Sequence, residues 1–219
     1  MSVRREWGNV GVFFRIIFRS RSDAPASERI EIHLIFRKKF KYYTMRSRYK
    51  ILNPEGYFFI TSTIVEWIEI FNTLSDFQIL IDSVNYNIEK KGLHVFAYVL
   101  MKNHFHIICR GNNLSNIITS IKSYSAKRII EKLEINNNII LEKFKDKKNY
   151  KNERQYQIWQ EGFHPKEIID SDELRQKINY IHDNPVRAFY CNTANEWLHS
   201  SAKFYETGEK GCIEIMRIV

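Results

Sequence analysis

The feature that most limits the possible folds is the order in which two hydrophobicity patterns alternate along the chain. Segments rich in aromatic and β-branched residues indicate strands, and they are separated by segments whose apolar residues recur with the helical period. The strand patterns cover 57–65, 93–101, 104–110 and 156–162, and the helix patterns cover 75–91 and 113–133. The order β-α-β-β-α-β predicts a ferredoxin-like α+β fold, with an antiparallel sheet and both helices on one of its faces.

The first helix pattern has the clearest boundaries. Its apolar face consists of Phe77, Leu80, Ile81, Val84 and Ile88. Ser75 and Gln78 have the spacing of a capping box, and Gly92 stands where a glycine commonly ends a helix. We therefore expect this helix to begin at Ser75 and to end just before Gly92.

A third helix is predicted for 170–183, after the last strand. Asp170 and Glu173 have the spacing of a capping box at its start. Pro185 is expected to end it, because the residue before a proline avoids the helical region. The prediction is therefore a ferredoxin-like domain followed by one more helix, which carries Tyr180, and a tail.

The 219 residues suffice for one domain with extensions. Residues 1–44 mix arginines with aromatics and show no clean period, so we expect an N-terminal appendage or an over-long start. Residues 45–190 are predicted to form the main domain. Residues 191–219 would form a C-terminal tail.

The charge balance favours a polyanionic partner. Lys and Arg number 34 against 25 Asp and Glu, a formal charge of +9, which suits nucleic acid or an acidic membrane surface. No apolar run reaches the roughly 18–20 residues of a membrane span. The three cysteines are widely spaced and form no zinc or disulfide pattern, which fits a reducing compartment. We therefore expect a cytoplasmic protein with no membrane partner.

Two histidines lie on the third predicted strand. Side chains alternate across a strand, so His104 and His106 should point to the same face, with Phe105 on the other. Two imidazoles on a rigid strand make a partial metal site. A pair of ligands is incomplete, however, and two polar residues on a sheet surface would give the same pattern. A third ligand is needed from another segment.

The third predicted helix supplies a candidate partner for the histidines. Its apolar stripe consists of Leu174, Ile178 and Ile181. Tyr180 lies roughly 100–160° away from that stripe, whereas Asn184 and Lys177 lie only about 40° and 60° from Tyr180. A tyrosine and an amide one turn apart can face one site together. A phenol, with a pKa near 10, attacks a phosphodiester well only if it is positioned and the phosphate charge is offset, as by a divalent metal.

A second tyrosine, Tyr124, lies on the apolar side of the second predicted helix. It is interpreted as core packing or a DNA contact, and as a rival candidate for the nucleophile. Lys122, Lys127 and Arg128 beside it are candidate phosphate contacts, although a solvated helix face would also place them there.

Four separated motifs resemble one known family. They are YVLMKNHFHII (98–108), WQEGF (159–163), YIHDNPVRA (180–188) and EWLHSSA (196–202). In their order and rough spacing they resemble the REP-associated tyrosine transposases, which belong to the wider group of single-tyrosine HUH transposases. The likeness extends from about Met45 to Tyr205.

The resemblance implies the chemistry and its residues. His104 and His106 would be the HUH pair, Asn184 the third ligand of Mg²⁺ or Mn²⁺, and Tyr180 the nucleophile that forms a 5′-phosphotyrosine and frees a 3′-hydroxyl. The substrate would be single-stranded DNA beside a short REP-like hairpin. Lys177, together with Arg187 in the NPVRA turn, is expected to join the DNA contacts. The tail at 191–219 resembles the C-terminal section of the family, which implies that it helps to recognise the DNA beside the hairpin.

Some alternatives remain open at this stage. The chain could be a hairpin-binding protein of the same fold without catalysis, or, more distantly, an RNA-binding module. The segment 134–154 is longer than the resemblance implies, and residues 1–44 have no recognised counterpart. The sequence does not distinguish a monomer from a homodimer.

Overall fold

A computed structural model describes residues 51, 53, 55–136, 139–145 and 155–217. The predicted appendage at 1–44 lies outside the described residues. No helix of the described part is long and apolar enough to cross a membrane.

The described residues form an antiparallel sheet with helices on both of its faces. The strands are β1 (Tyr57–Thr63), β2 (His94–Leu100), β3 (His104–Arg110) and β4 (Lys166–Ile168). The main helices are α1 (Leu74–Lys91), α2 (Leu114–Ile135), α3 (Ser171–Arg187) and the short α4 (Ala202–Thr207). The strand order is β2-β3-β1-β4, which follows from a β-α-β-β-α-β chain whose first and third strands are central. The predicted ferredoxin-like α+β fold is confirmed.

Two apolar layers hold the sheet. On one face, Ile60 and Ile107 of the sheet pack against α1 and α2, as predicted. On the other face, Phe59 and Ile108 pack against α3 through Ile181, which is fully buried. Burial of such a side chain contributes about 1.5–3 kcal/mol, so strand alternation fixes which face each helix can cover. The helix that carries Tyr180 therefore lies on the face of the sheet away from α1 and α2.

The start of α1 differs from the prediction, whereas its end is confirmed. The N-cap is Thr73, whose hydroxyl accepts a hydrogen bond from the Asp76 amide at 3.3 Å. The Asp76 carboxylate accepts one from the Thr73 amide at 2.8 Å, which completes a capping box. The expected box of Ser75 and Gln78 is therefore wrong, since the helix has already begun there. Gly92 ends the helix in the left-handed conformation, with φ of 66°.

The fourth strand lies later in the chain than predicted. Residues 156–162 form only isolated bridges, such as Trp159 with Ile64, and the continuous pairing with β1 is made by β4. Gly162 has a φ of 70°, which breaks extended backbone before a strand can continue. The aromatic character of this segment has another cause: Trp159 is buried, and its indole nitrogen donates to Ser125 Oγ at 3.0 Å.

The third helix passes through its proline. The prediction that Pro185 ends it is wrong, because α3 continues to Arg187. The proline ring has no N–H to donate, but the turn that follows is still closed, since the Ala188 amide donates to the Asn184 carbonyl at 3.0 Å. Asn184 consequently lies inside the helix, one turn after Tyr180.

The described tail, 191–217, runs along the free edge of β2. The Leu100 amide donates to the His199 carbonyl at 2.8 Å, and the Ser201 amide donates to the Tyr98 carbonyl at 3.0 Å. The Trp197 indole donates to the Leu100 carbonyl at 2.9 Å. These bonds satisfy backbone groups that an edge strand otherwise exposes.

Candidate active site

Both histidines of β3 face the α3 side of the sheet. Their ring centroids are 4.8 Å apart, and His106 is only 5% exposed. The His106 ring also stacks on Phe59 of β1, with centroids 5.3 Å apart. Phe105 points into the opposite layer, as strand alternation predicts.

Each imidazole is held at its Nδ1 atom by a neighbouring polar side chain. Thr61 lies opposite His106 in the β1–β3 pairing, and its hydroxyl is 2.8 Å from His106 Nδ1. Asn103 Oδ1 is 2.7 Å from His104 Nδ1. The other end of that amide donates to the Trp67 carbonyl at 3.0 Å, so the oxygen faces His104 and the imidazole hydrogen lies on Nδ1. The lone pair of the His104 ring then lies on Nε2.

The helix α3 brings Tyr180 and Asn184 to the histidines. The Tyr180 ring centroid is 5.3 Å from that of His106 and 5.9 Å from that of Phe59. The Asn184 side chain lies next to His104 and raises the pKa of that imidazole. Tyr180 is 37% exposed, so solvent and a large substrate can reach it. The helical angle between the two α3 residues predicted this meeting on one face.

The two imidazoles are neutral near pH 7. Burial lowers the pKa of His104 to about 4, opposed in part by its hydrogen bond with Asn184. Burial lowers the pKa of His106 to about 3, together with the charge that a protonated His104 would carry and the charge of Lys177. A neutral imidazole keeps the lone pair that a metal ion requires.

The donor set fits a divalent cation with mixed nitrogen and oxygen ligands. It consists of two neutral imidazoles and the amide of Asn184, and imidazole and carbonyl-type oxygen donors suit such ions. Within the described residues, no group of three or more His, Cys, Asp or Glu could hold a metal. A site here would therefore depend on the amide as its third protein donor.

Two cationic side chains flank Tyr180. Lys177 Nζ is 4.8 Å from the centroid of Phe59 and 5.7 Å from that of Tyr180. The Arg187 guanidinium carbon is 6.0 Å from the Tyr180 centroid on its other side along the helix. Both cationic groups therefore lie close to the Tyr180 ring. Two of the five expected DNA contacts thus lie beside the tyrosine.

The other three expected contacts, Lys122, Lys127 and Arg128, lie on α2, behind the opposite face of the sheet. Lys122 donates to the Gln160 carbonyl at 2.8 Å, which supports the loop before β4. Arg128 pairs with Glu131 at 2.7 Å, and Lys127 is exposed. The structure does not bring these side chains to the histidines.

Tyr124 does not fill the core. It is 46% exposed, and the adjacent Ser125 occupies the buried position on α2. The prediction that Tyr124 lies on the apolar side of the helix is therefore wrong. Since α2 covers the other face of the sheet, Tyr124 is also remote from His104 and His106.

The remaining buried histidines serve packing. His182, which the helical angle places away from Tyr180, lies 2.9 Å from Ser201 Oγ through Nε2. His199 stacks on Phe77, with ring centroids 3.8 Å apart. His182 therefore connects α3 to the tail, which runs along the edge of β2.

A solved structure shares this architecture over most of the length of both chains. It is a REP-associated tyrosine transposase bound to a REP hairpin, with a TM-score of 0.51 and 18% identity, and the match covers 75% of this chain and 87% of that chain. This chain has the fold of that transposase. Neither a protein family nor a curated protein matches the sequence.

A second solved structure is a protein from Deinococcus radiodurans that is provisionally described as a transposase. It has a TM-score of 0.35 and 13% identity, and the match covers 58% of this chain and 88% of that chain. The likeness to the REP-associated transposase concerns the fold alone, because a fold does not determine the chemistry of the protein that carries it.

Thr61 offers a test of the site that leaves every direct donor in place. Thr61→Val removes the hydroxyl at His106 Nδ1 but keeps a β-branched side chain in β1. Loss of such a supporting hydrogen bond typically costs about 10–100-fold in metal affinity, and we expect that decrease for Mn²⁺ measured by electron paramagnetic resonance. Thr61→Ser keeps the hydroxyl and should restore most of the affinity. Equal Mn²⁺ affinity in wild type and Thr61→Val would contradict this role.

Proposed function

We propose that this protein is a metal-dependent transposase or endonuclease that cleaves and rejoins single-stranded DNA through a 5′-phosphotyrosine. The observation that carries the proposal is the meeting of β3 and α3. There the Tyr180 ring lies 5.3 Å from that of His106, while the Asn184 side chain lies next to His104. A purely binding protein has no physical need for two neutral imidazoles, one buried and one half-buried, beside an accessible phenol.

In this proposal, His104, His106 and Asn184 hold Mg²⁺ or Mn²⁺. When bound, the ion polarises the non-bridging oxygens of the phosphate and offsets their charge. The chain's own contribution is to keep both imidazoles neutral and oriented. Thr61 and Asn103 do so through their hydrogen bonds to the Nδ1 atoms.

The phenol of Tyr180 is the nucleophile. Its Oη forms a bond to phosphorus as the bond from phosphorus to the 3′-oxygen breaks. The phenol proton is lost and the departing 3′-oxygen gains a proton, so the products are a 5′-phosphotyrosine and a free 3′-hydroxyl. Lys177 and Arg187, on either side of Tyr180, stabilise the added negative charge. Attack by a 3′-hydroxyl on the phosphotyrosine reverses the step and rejoins the strand.

The proposed substrate is single-stranded DNA that flanks a hairpin. The formal charge of +9 supports a nucleic-acid partner. The structural neighbour of similar fold is bound to a REP hairpin, which suggests the hairpin as the recognised element. A single-stranded flank would let the scissile phosphate reach the accessible Tyr180.

The deciding experiment is covalent trapping. Purified protein is incubated with end-labelled hairpin oligonucleotides and Mn²⁺, and the products are separated on a denaturing gel. We expect a protein–DNA adduct that is absent with EDTA and absent with a scrambled oligonucleotide that forms no hairpin. Peptide mapping should locate the adduct on the peptide that contains Tyr180. Tight hairpin binding without any adduct would support the alternative, a binding protein that lacks catalysis.

A further inference from the structure

An exposed tryptophan lies beside the paired histidines. Trp67 is 57% exposed, although indoles are usually buried, and its ring centroid is 5.5 Å from that of His104 at a steep angle. It belongs to a short turn, Val65–Trp67, that follows β1. Thr61 lies near the end of β1, the strand that leads into this turn, so β1 positions both the turn and the histidine His106 that Thr61 contacts.

The turn is held in an unfavourable backbone conformation. Glu66 and Trp67 have φ values of 55° and 58°, in the left-handed region that disfavours bulky side chains. Consecutive residues in this region persist only where the surroundings hold them, and such strain concentrates at functional sites. The result here is an indole turned toward solvent at the rim of the site.

Asn103 connects this turn to the histidine pair. Its Nδ2 donates to the Trp67 carbonyl at 3.0 Å, while its Oδ1 accepts from His104 Nδ1 at 2.7 Å. The Asn103 carbonyl also accepts from the Ile64 amide at 2.8 Å, just before the turn. One side chain therefore sets the position of both His104 and the tryptophan, and the two cannot shift independently.

We propose that Trp67 stacks on an unpaired base of single-stranded DNA and so positions the nucleotide next to the phosphate that Tyr180 attacks. This deepens the proposed function and rests on it. An unpaired base is the occupant that fits: it offers a flat face to the indole, and its phosphates reach the cationic side of the site at Lys177 and Arg187. Paired bases keep their faces within the duplex and cannot stack on a lateral side chain without being unstacked.

Stacking on an aromatic side chain is tolerant of base identity, because every base has a π-face. Trp67 therefore positions the single-stranded DNA, whereas other surfaces of the protein recognise the hairpin. The contact also explains why the indole of Trp67 is exposed to solvent beside the site.

The test measures binding without cleavage. A fluorescein-labelled hairpin with a single-stranded flank is titrated with protein in EDTA. We expect Trp67→Ala to weaken binding about 5- to 100-fold, and Trp67→Phe, which keeps an aromatic face, to retain most of the affinity. Tyr86→Ala is the matched control, because Tyr86 is also exposed, at 54%, but lies on α1 behind the other face of the sheet.

A scan of abasic nucleotides identifies the base. In the wild type, one abasic position in the flank should weaken binding about as much as Trp67→Ala does, and the two changes together should cost little more than either alone. Quenching of tryptophan fluorescence by the oligonucleotide should largely disappear in Trp67→Phe. Circular dichroism checks that each variant is folded, and the quenching measurement decides the matter if Trp67→Ala is not.

The outcomes separate this inference from the proposed function. If the wild type forms the covalent adduct but Trp67→Ala binds within about twofold of it, stacking is refuted and the chemistry stands. If Trp67 and one base are coupled but no adduct forms, stacking stands and the chemistry fails. A wild type that does not bind the hairpin flank refutes both.

Discussion

Tyr180→Phe should abolish the covalent protein–DNA adduct and lower strand cleavage by about 10³-fold or more, while hairpin binding stays within about twofold. Phenylalanine keeps the ring that packs near His106 and Phe59 and removes only the oxygen that attacks phosphorus. Because Tyr180 is 37% exposed, loss of its hydroxyl leaves no buried polar partner unsatisfied, and folding should be unaffected.

The matched control is Tyr124→Phe, the same substitution at an exposed tyrosine on the opposite layer. It should form the adduct at the wild-type rate. Gel-resolved single-turnover cleavage in Mn²⁺ measures both variants. If Tyr124→Phe lost the adduct and Tyr180→Phe kept it, the enzyme class would survive but the proposed site would be wrong.

His106→Ala should weaken Mn²⁺ binding by about 100-fold or more and reduce cleavage to the level seen in EDTA. The substitution removes one of only two imidazoles and leaves an amide and a single histidine, which are too few protein donors to hold the ion. Titration of Mn²⁺ followed by electron paramagnetic resonance measures the affinity, and thermal unfolding shows whether the cavity left beside Phe59 has destabilised the sheet.

His94→Ala provides the comparison for that variant. His94 is the first residue of β2 and pairs with Arg110, at the end of the sheet far from His104 and His106. The His94→Ala variant should therefore bind Mn²⁺ as tightly as the wild type does. If His106→Ala bound Mn²⁺ as tightly as His94→Ala, the histidine pair would be a polar patch of the sheet surface, as the bare sequence pattern also allowed.

The parts of the site that could be predicted depend on local periodicity. Alternation along one strand places His104 and His106 together, and the helical angle places Asn184 beside Tyr180; neither requires knowledge of the rest of the chain. The order of elements along the chain could be predicted for a similar reason, although the fourth strand lies at Lys166–Ile168 and not at 156–162. The likeness to one solved transposase fold is consistent with this reasoning.

The parts that were missed depend on contacts between distant segments. Thr61 meets His106 only because of the register between β1 and β3, which no single segment encodes. The sequence feature that could have predicted this contact was a threonine in a neighbouring strand, at a position on the same face of the sheet as the histidines. The segment around Trp159 resembled a strand because its apolar side chains anchor a loop in the core, and the proline rule failed in α3 because the next turn closes after Pro185.

The hydrogen bonds from the tail to β2 also limit how the protein can associate with itself. Sheets grow from copy to copy by adding strands at an open edge, and the amide of Leu100 and the carbonyl of Tyr98 are already taken by residues 199–201. At the opposite edge, β4 has only three residues, a short template for a foreign strand. A second copy that paired with β2 would first have to displace residues 199–201, and Ser201 in this segment also contacts His182 of α3. Resistance to fibrillar growth and retention of an assembled site are therefore coupled in this fold.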